Sequence, residues 1–201
     1  MHAKISRELT TLEYIILGLL GTAPQSGYSI IATLESGVHR WKAGPGAIYP
    51  ALKRLEKNEI ITSRLEIVTE TRSRKMYELT VEGEDLLNRW LKEPPTASEM
   101  PDEREIMLVK FLFAESRLPK EEIIELLDAY EKQLETQDMK LQILRDVAMN
   151  VATVHQKLIY EAIMMERVLQ RRWVRMARRA LQPEAEGDNE LETVEMTNPA
   201  Q

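Results

Sequence analysis

Two short stretches of this chain change the period of its hydrophobic pattern, and they limit the fold more than any other feature. Nearly everywhere else, apolar residues recur every three or four positions, as on an amphipathic helix. Over Thr62–Val68, and again over Arg74–Leu79, they alternate with polar residues, as on a half-buried strand. The segment Thr69–Ser73 between them is polar and turn-like. The pair predicts a single β-hairpin, with Arg72, Arg74 and Lys75 near its tip, set in an otherwise helical chain.

The helices around the hairpin follow from caps and stripes. Thr10 and Glu13 fit a capping box, and Leu12, Ile15, Ile16, Leu19 and Leu20 form an apolar stripe, which predicts a helix over 10–21 with Gly21 as its stop. After a turn at Pro24–Gly27, Tyr28, Ile31 and Leu34 predict a second helix over 28–38, capped by Ser26. Gly44-Pro45-Gly46 opens a third, with Ile48, Leu52 and Leu55 on one face and Lys53, Arg54 and Lys57 off it. Pro50 places its start at 46–48, because proline deeper in a helix removes a hydrogen bond. Beyond the hairpin, Thr80 caps a fourth helix over 81–92, with Leu86, Leu87, Trp90 and Leu91 on its stripe.

Glu93–Pro101 holds three prolines in nine residues and reads as a linker. Residues 102–115 then carry Ile106, Val109, Lys110 and Phe113 at helical spacing, and Leu118-Pro119 breaks the chain. From Lys120 to Gln182 there is no Gly and no Pro. A single rod of about 60 residues would reach about 90 Å, so two helices forming a hairpin are expected, with the break between Asp146 and Ala152 near Asn150. From Pro183 the chain has no aromatic residue and no apolar period, and it reads as disordered. The organisation expected is therefore mostly α with a small β-hairpin wing. A winged helix-turn-helix spans 1–92, a linker 93–101, a coiled-coil-like helical dimerisation domain 102–182 and an acidic tail 183–201.

The net charge of −6 at first argues against nucleic acid, but it is unevenly placed. Residues 1–93 carry 13 Lys/Arg against 12 Asp/Glu, and residues 94–182 carry 14 against 15. The tail holds six acids and no base. What a phosphate backbone meets is the local face, not the overall isoelectric point. Helix, helix, helix, hairpin, helix is the outline of a winged helix-turn-helix, whose third helix enters the major groove while the wing sets cations on neighbouring phosphates. Here the third helix offers Tyr49, Lys53, Arg54 and Lys57, and the wing offers Arg64, Arg72, Arg74 and Lys75.

Tyr49 fits a core tyrosine beside Ile48 as well as a DNA contact, and the cations fit a solvated face. Tyr28 reads as packing between the first helices, and Thr80 as a cap and little more. Trp90 and Trp173 read as packing, with an effector pocket at a dimer interface as the other reading. The run Arg171, Arg172, Arg175, Arg178 and Arg179 reads as ion pairing within a dimer or plain solvation. No catalytic cluster emerges: Cys is absent, and His2, His39 and His155 stand in no metal-binding frame. No glycine-rich phosphate cradle occurs either. No catalytic residue, metal site or cofactor is therefore expected. Without an apolar run of membrane-spanning length or a signal segment, a cytoplasmic protein is expected, with no membrane partner.

Four segments in order resemble the PadR-type transcriptional regulators. They are Leu12–Leu20, Ser26–Ile30 with its Gly-Tyr, Ile48–Glu56 with Ile-Tyr-Pro-x-Leu-x-x-Leu-Glu, and Arg74–Gly83 with Tyr-x-Leu-Thr-x-x-Gly. The likeness covers 9–90 strongly. Over 102–180 it is looser, carried by Lys110–Phe113 and by Trp173 in a last long helix, as in the helical dimerisation region of the longer PadR subfamily. The resemblance implies a homodimer paired through 102–180 on a palindromic operator in double-stranded DNA. It also implies a repressor, in many members released by a small-molecule effector. It assigns Tyr49 to the recognition helix and Arg74 and Lys75 to the wing cations. One departure stands out: Glu59 occupies a position where the pattern has Gly, and Asn58 is the expected substitute for a left-handed helix end. The competing reading is a protein-binding winged-helix adaptor without operator specificity, and the discriminator is salt, since DNA affinity falls steeply as salt rises.

Overall fold

The computed structural model describes residues 9–36, 43–69, 72–96, 103–148 and 151–182. Its elements run α1 (Thr11–Leu20), β1 (Gln25–Ser26), α2 (Gly27–Ser36), α3 (Pro45–Lys57), β2 (Ile61–Thr69), β3 (Arg72–Leu79), α4 (Val81–Lys92), α5 (Glu103–Ala114), α6 (Lys120–Ala148) and α7 (Val154–Leu181). The hairpin and all the expected helices are present, and the break between the long helices falls between Ala148 and Val154. The end of the expected second helix at 37–38, the hairpin tip at 70–71, most of the linker and the acidic tail lie outside the described residues.

The caps explain the early boundaries. The Thr10 hydroxyl accepts the Glu13 N–H at 3.3 Å, and the Glu13 carboxylate accepts the Thr10 N–H at 2.9 Å, closing the capping box. The Ser26 hydroxyl accepts the Ser29 N–H at 3.1 Å and opens α2. The third helix starts earlier than Pro50 suggested. Pro45 fits the first helical position, and Pro50 stands exposed in the second turn, so the carbonyl it leaves unpaired, on exposed Gly46, faces water.

The end of α3 also departs from expectation. Asn58 keeps a negative φ of −91°, and Glu59 itself adopts the left-handed conformation, with φ 58°. The Ile60 N–H donates to the Leu55 carbonyl and the Glu59 N–H to the Glu56 carbonyl, both at 3.0 Å. This is a Schellman cap, and Ile60 and Leu55 are both buried in the same core. The cap geometry sets the position, so the residue found there takes the strain.

The sheet has a third strand that the alternation did not reveal. Gln25 and Ser26 pair antiparallel with Tyr77 and Met76, giving the order β1-β3-β2. Along the hairpin Ile61 faces Leu79 and Ser63 faces Tyr77, with an irregularity between Ile67 and Thr69. Thr80 does more than cap α4. Besides accepting the Gly83 N–H at 3.2 Å, its hydroxyl donates to the carbonyls of Glu59 and Ile60, which fastens the start of α4 to the α3–β2 junction. Gly83 permits the approach, since a Cβ there would lie 2.2 Å from the Ile60 carbonyl oxygen.

One apolar core runs through α1–α4 and continues into α5, including Ile16, Leu17, Ile48, Leu55, Leu87, Leu91, Ile106 and Phe113. The joint is tight: a Cβ on Gly18 would meet the Phe113 ring at 2.2 Å. Buried Lys110 donates to the carbonyls of Trp90 and Glu93, at 2.8 Å each, at the C-terminal end of α4, where a cation is favoured. Arg117 bonds the Glu84 carboxylate, Asn88 and the Gly21 carbonyl, so Gly21 ends α1 beside a guanidinium that a side chain there would strike. A second, smaller core joins Met107, Leu126, Leu127, Tyr130 and Leu134 to Val174 and Ala177.

Candidate nucleic-acid interface

The face of α3 opposite its buried Ile48, Ala51, Leu52 and Leu55 carries Tyr49, Lys53, Glu56 and Lys57. At 100° per residue, Tyr49, Lys53 and Glu56 fall within an arc of about 60°. Tyr49 is 49 % exposed, and its ring lies across Gly27 at the start of α2, where a Cβ would come within 2.7 Å. That placement excludes the core reading for Tyr49. Lys53 and Lys57 are exposed and form no ion pair among the described residues. Arg54 is placed differently. It turns about 140° away from Tyr49, and its Nε pairs at 3.1 Å with buried Glu13 of the α1 capping box. Arg54 therefore anchors α3 to α1 and does not join the other candidates.

The wing presents two faces of opposite character. One carries a ladder of ion pairs, Arg64 to Glu78 at 2.9 Å and Arg74 to Glu66 at 2.5 Å. The other carries Ser63, Leu65, Ile67, Ser73, Lys75 and Tyr77. At its base Tyr77 is buried, but Leu65 and Ile67 stand 72 % and 80 % exposed, so the outer hairpin is not the half-buried ribbon its alternation suggested. The backbone of Arg72 pairs with that of Thr69 at the outer end of the hairpin. Lys75 reaches back to α3, where its Nζ lies 2.7 Å from the Glu56 carboxylate and 5.2 Å from the Tyr77 ring centre. The Ser63 hydroxyl donates to the other Glu56 oxygen. Lys75, and then Ser63, hold the Glu56 carboxyl below the usual carboxylate range, and Glu56 pushes the Lys75 ammonium up.

Three of the expected wing cations thus carry an acidic partner, and the acids are what the sequence reading missed. Nothing local marks Glu56, Glu66 or Glu78 as partners, because each pairing spans eight or more residues. Tyr28 was also misread. It is 78 % exposed in the first turn of α2, not packed between helices, and it stands close in sequence to the Gly27 on which the Tyr49 ring rests.

A separate cleft of about 510 Å³ opens where α1, α4 and α5 meet, lined by Leu9, Tyr14, Leu86, Trp90, Thr96 and Lys110. Tyr14 and Trp90 stack in its wall at 4.9 Å, 4° from parallel, with the Lys110 ammonium 4.4 Å from the Trp90 ring centre. Trp173 packs edge-on against Phe111 at 5.4 Å. On α7, Arg178 pairs with Asp128 and Glu131, and Arg171 with Asp138, so part of the basic run is neutralised within one chain; Arg172, Arg175 and Arg179 remain exposed. Among the described residues no group of three or more His, Asp or Glu could hold a metal ion, and His155 stands alone on exposed surface. His2 and His39 lie outside them.

Residues 16–89 match the Transcriptional regulator PadR-like family. The Negative transcriptional regulator PadR of Bacillus subtilis (strain 168) is 33% identical over 135 residues, covering 66% of this chain and 70% of that protein. Among solved structures, Bacillus subtilis PadR in complex with operator DNA is 24% identical, covering 88% of this chain and 100% of that one, with a TM-score of 0.41. Bacillus subtilis PadR in complex with p-coumaric acid is 24% identical, covering 87% of this chain and 97% of that one, with a TM-score of 0.36.

Proposed function

The chain belongs to the PadR-like family of transcriptional regulators, and on that premise we propose that it is a homodimeric repressor reading a palindromic operator with α3 and its wing. The observation that carries this reading is the set of exposed Tyr49, Lys53 and Lys57 on α3 beside a wing whose Lys75 reaches the same helix, with Arg64 and Arg74 on the wing's other face adding cations that acids partly offset. A helix presenting a tyrosine in its N-terminal half suits base edges, and lysines farther along it and cations on a hairpin suit phosphates. Arg72 at the outer end of the wing belongs to the same set. Arg54 does not, because it stands about 140° around α3 from Tyr49 and pairs with the buried Glu13 of α1.

The division of labour runs along the chain. Residues 1–92 form the reading head, 93–101 the linker, 102–182 the pairing helices and 183–201 the acidic tail, with α5 lending its apolar face to the head core. Pairing through 102–180 is supported by the apolar side chains that the α6–α7 hairpin leaves in solvent, among them Ile143, Leu158, Ile159 and Leu169. Repression follows the name of the Bacillus subtilis relative. Release by a small molecule is supported by the cleft beside Trp90, which touches the head and α5 alike. No helix among the described residues is long and apolar enough to cross a membrane, and we place the protein in the cytoplasm, beside the DNA it reads.

The test is a salt titration of the full chain on an operator mapped from genomic DNA and on a scrambled duplex. The operator should bind far more tightly. The logarithm of affinity should fall with the logarithm of salt, by about 0.9 for each phosphate neutralised. Salt-insensitive behaviour, or equal affinity for both duplexes, would instead favour the protein-binding adaptor.

A further inference from the structure

The exposed face of α3 that carries Tyr49 and Lys53 also carries an acid. Glu56 lies seven residues beyond Tyr49 and three beyond Lys53, on the same stripe. A carboxylate on a surface meant for phosphates opposes binding to every sequence alike. Its partners identify its role. Lys75 on β3 lies 2.7 Å from one oxygen, and the Ser63 hydroxyl on β2 donates to the other, so a single side chain grips both strands of the wing.

We propose that Glu56 is a specificity-determining residue: clamping the wing to α3 and offsetting the charge of Lys75, it lowers affinity for arbitrary DNA more than for the operator. The inference rests on the DNA-binding reading above. Arbitrary DNA is held almost wholly by cations on phosphates. With a fixed carboxylate at 2.7 Å, Lys75 reaches a phosphate as one end of an ion pair and not as a free cation. The operator complex also draws on base-edge contacts from α3, and these need helix and wing to meet the duplex in one register. The clamp supplies that register. Removing the charge therefore strengthens the phosphate-only complex, while the operator complex gains less because it loses the clamp.

The decisive variant is Glu56→Gln, which keeps the shape and removes the charge. The full chain is titrated by fluorescence anisotropy onto an operator duplex and a scrambled duplex of equal length over a range of salt. Affinity for the scrambled duplex should rise about three- to tenfold, and its salt slope should steepen by about one. Operator affinity should change less, so the ratio between the two falls. In a Lys75→Ala background, where the clamp is already broken, the same substitution should raise both affinities alike and leave their ratio unchanged, and Glu56→Asp should restore the wild-type ratio. An unchanged salt slope, or an unchanged ratio with both affinities shifted equally, overturns the role given to Glu56. Wild-type protein that binds the two duplexes equally overturns the DNA reading instead.

Discussion

Among the described residues of the head, the large apolar side chains left in solvent are Tyr28, Tyr49, Leu65, Ile67 and Val81, and four of these stand on α2, α3 or the wing, beside the candidate DNA face. The distal parts of the α6–α7 hairpin behave otherwise. Met139, Ile143, Val154, Leu158, Ile159, Ile163, Met165 and Leu169 are all exposed there, with no neighbouring element among the described residues to cover them. The head is a finished object whose surface exceptions sit where a ligand would sit. The long helices are closed only at their base, where Leu126, Leu127, Tyr130 and Leu134 meet Val174 and Ala177. The difference teaches that the head, together with α5, closes its own core, while the long helices leave an apolar surface of the kind the proposed second copy would cover. Even the polar groups follow the divide. At the base, Arg167 lies 3.5 Å from nearly buried Glu103 and 3.8 Å from Asp138, and Tyr130, whose hydroxyl burial and then Glu103 push well above its usual pKa, is fully enclosed.

The largest expected effect tests whether the head is finished without α5. Phe113→Ala empties the space against Gly18 and should remove about 3–5 kcal/mol of stability. The loss should appear in the near-ultraviolet dichroism of the Tyr14–Trp90 stack as well as in helix content; a signal lost only from the long helices would return α5 to the second region. Cutting the chain after residue 118 should accordingly leave a folded, monomeric head, whereas cutting it after 101 should not.

Next comes the pairing surface. The double substitution Leu158→Glu with Leu169→Glu should yield a monomer in sedimentation at micromolar concentration. Operator affinity should then fall about a hundredfold, since one head makes few contacts and the second no longer binds as part of the same molecule. The melting of the head should not move. A wild-type protein that already sediments as a monomer would undo the contrast between the two regions.

Within the head, Tyr49→Ala should weaken operator binding by about 1–3 kcal/mol and scrambled DNA by much less. Equal losses would demote Tyr49 from a base contact to a phosphate contact. The smallest effect is a gain. Glu59→Gly relieves a left-handed backbone at the end of α3, and it should raise stability by about 1 kcal/mol in denaturant unfolding with no change in DNA binding.

Much of this molecule is legible in its sequence, and what is legible is local. Thr10 with Glu13, the alternation of 62–68 and 74–79, the stripe of α4 and the interruption near Asn150 all lie within a few residues of the structure they specify. The candidate interface was legible in its cations and in Tyr49 and illegible in what restrains them. Glu13 takes Arg54 from 41 positions away, and Glu56 takes Lys75 from 19. β1 is too short to show a period, yet two residues of pairing with β3 complete the sheet. Lys110 shares the stripe of Ile106, Val109 and Phe113, but the carbonyls that satisfy its charge belong to the end of another helix, which no local pattern shows. The left-handed turn at Glu59 is marked only by the resemblance, whose pattern has Gly there, and the exchange with Asn58 was not legible because backbone demand is invisible in residue type.

The joint at Gly18 and Phe113, reinforced by Arg117 at Gly21, has a mechanical meaning for the assembled regulator. Each head is bolted to its own helices through a shared core, so the gap between two heads in a dimer is gauged by the angle at which the paired helices lean. Operator half-sites repeat about every 34–36 Å along the duplex. Such an arrangement works as a pair of callipers: a small rotation at the handles carries both tips off their marks while each tip keeps its shape.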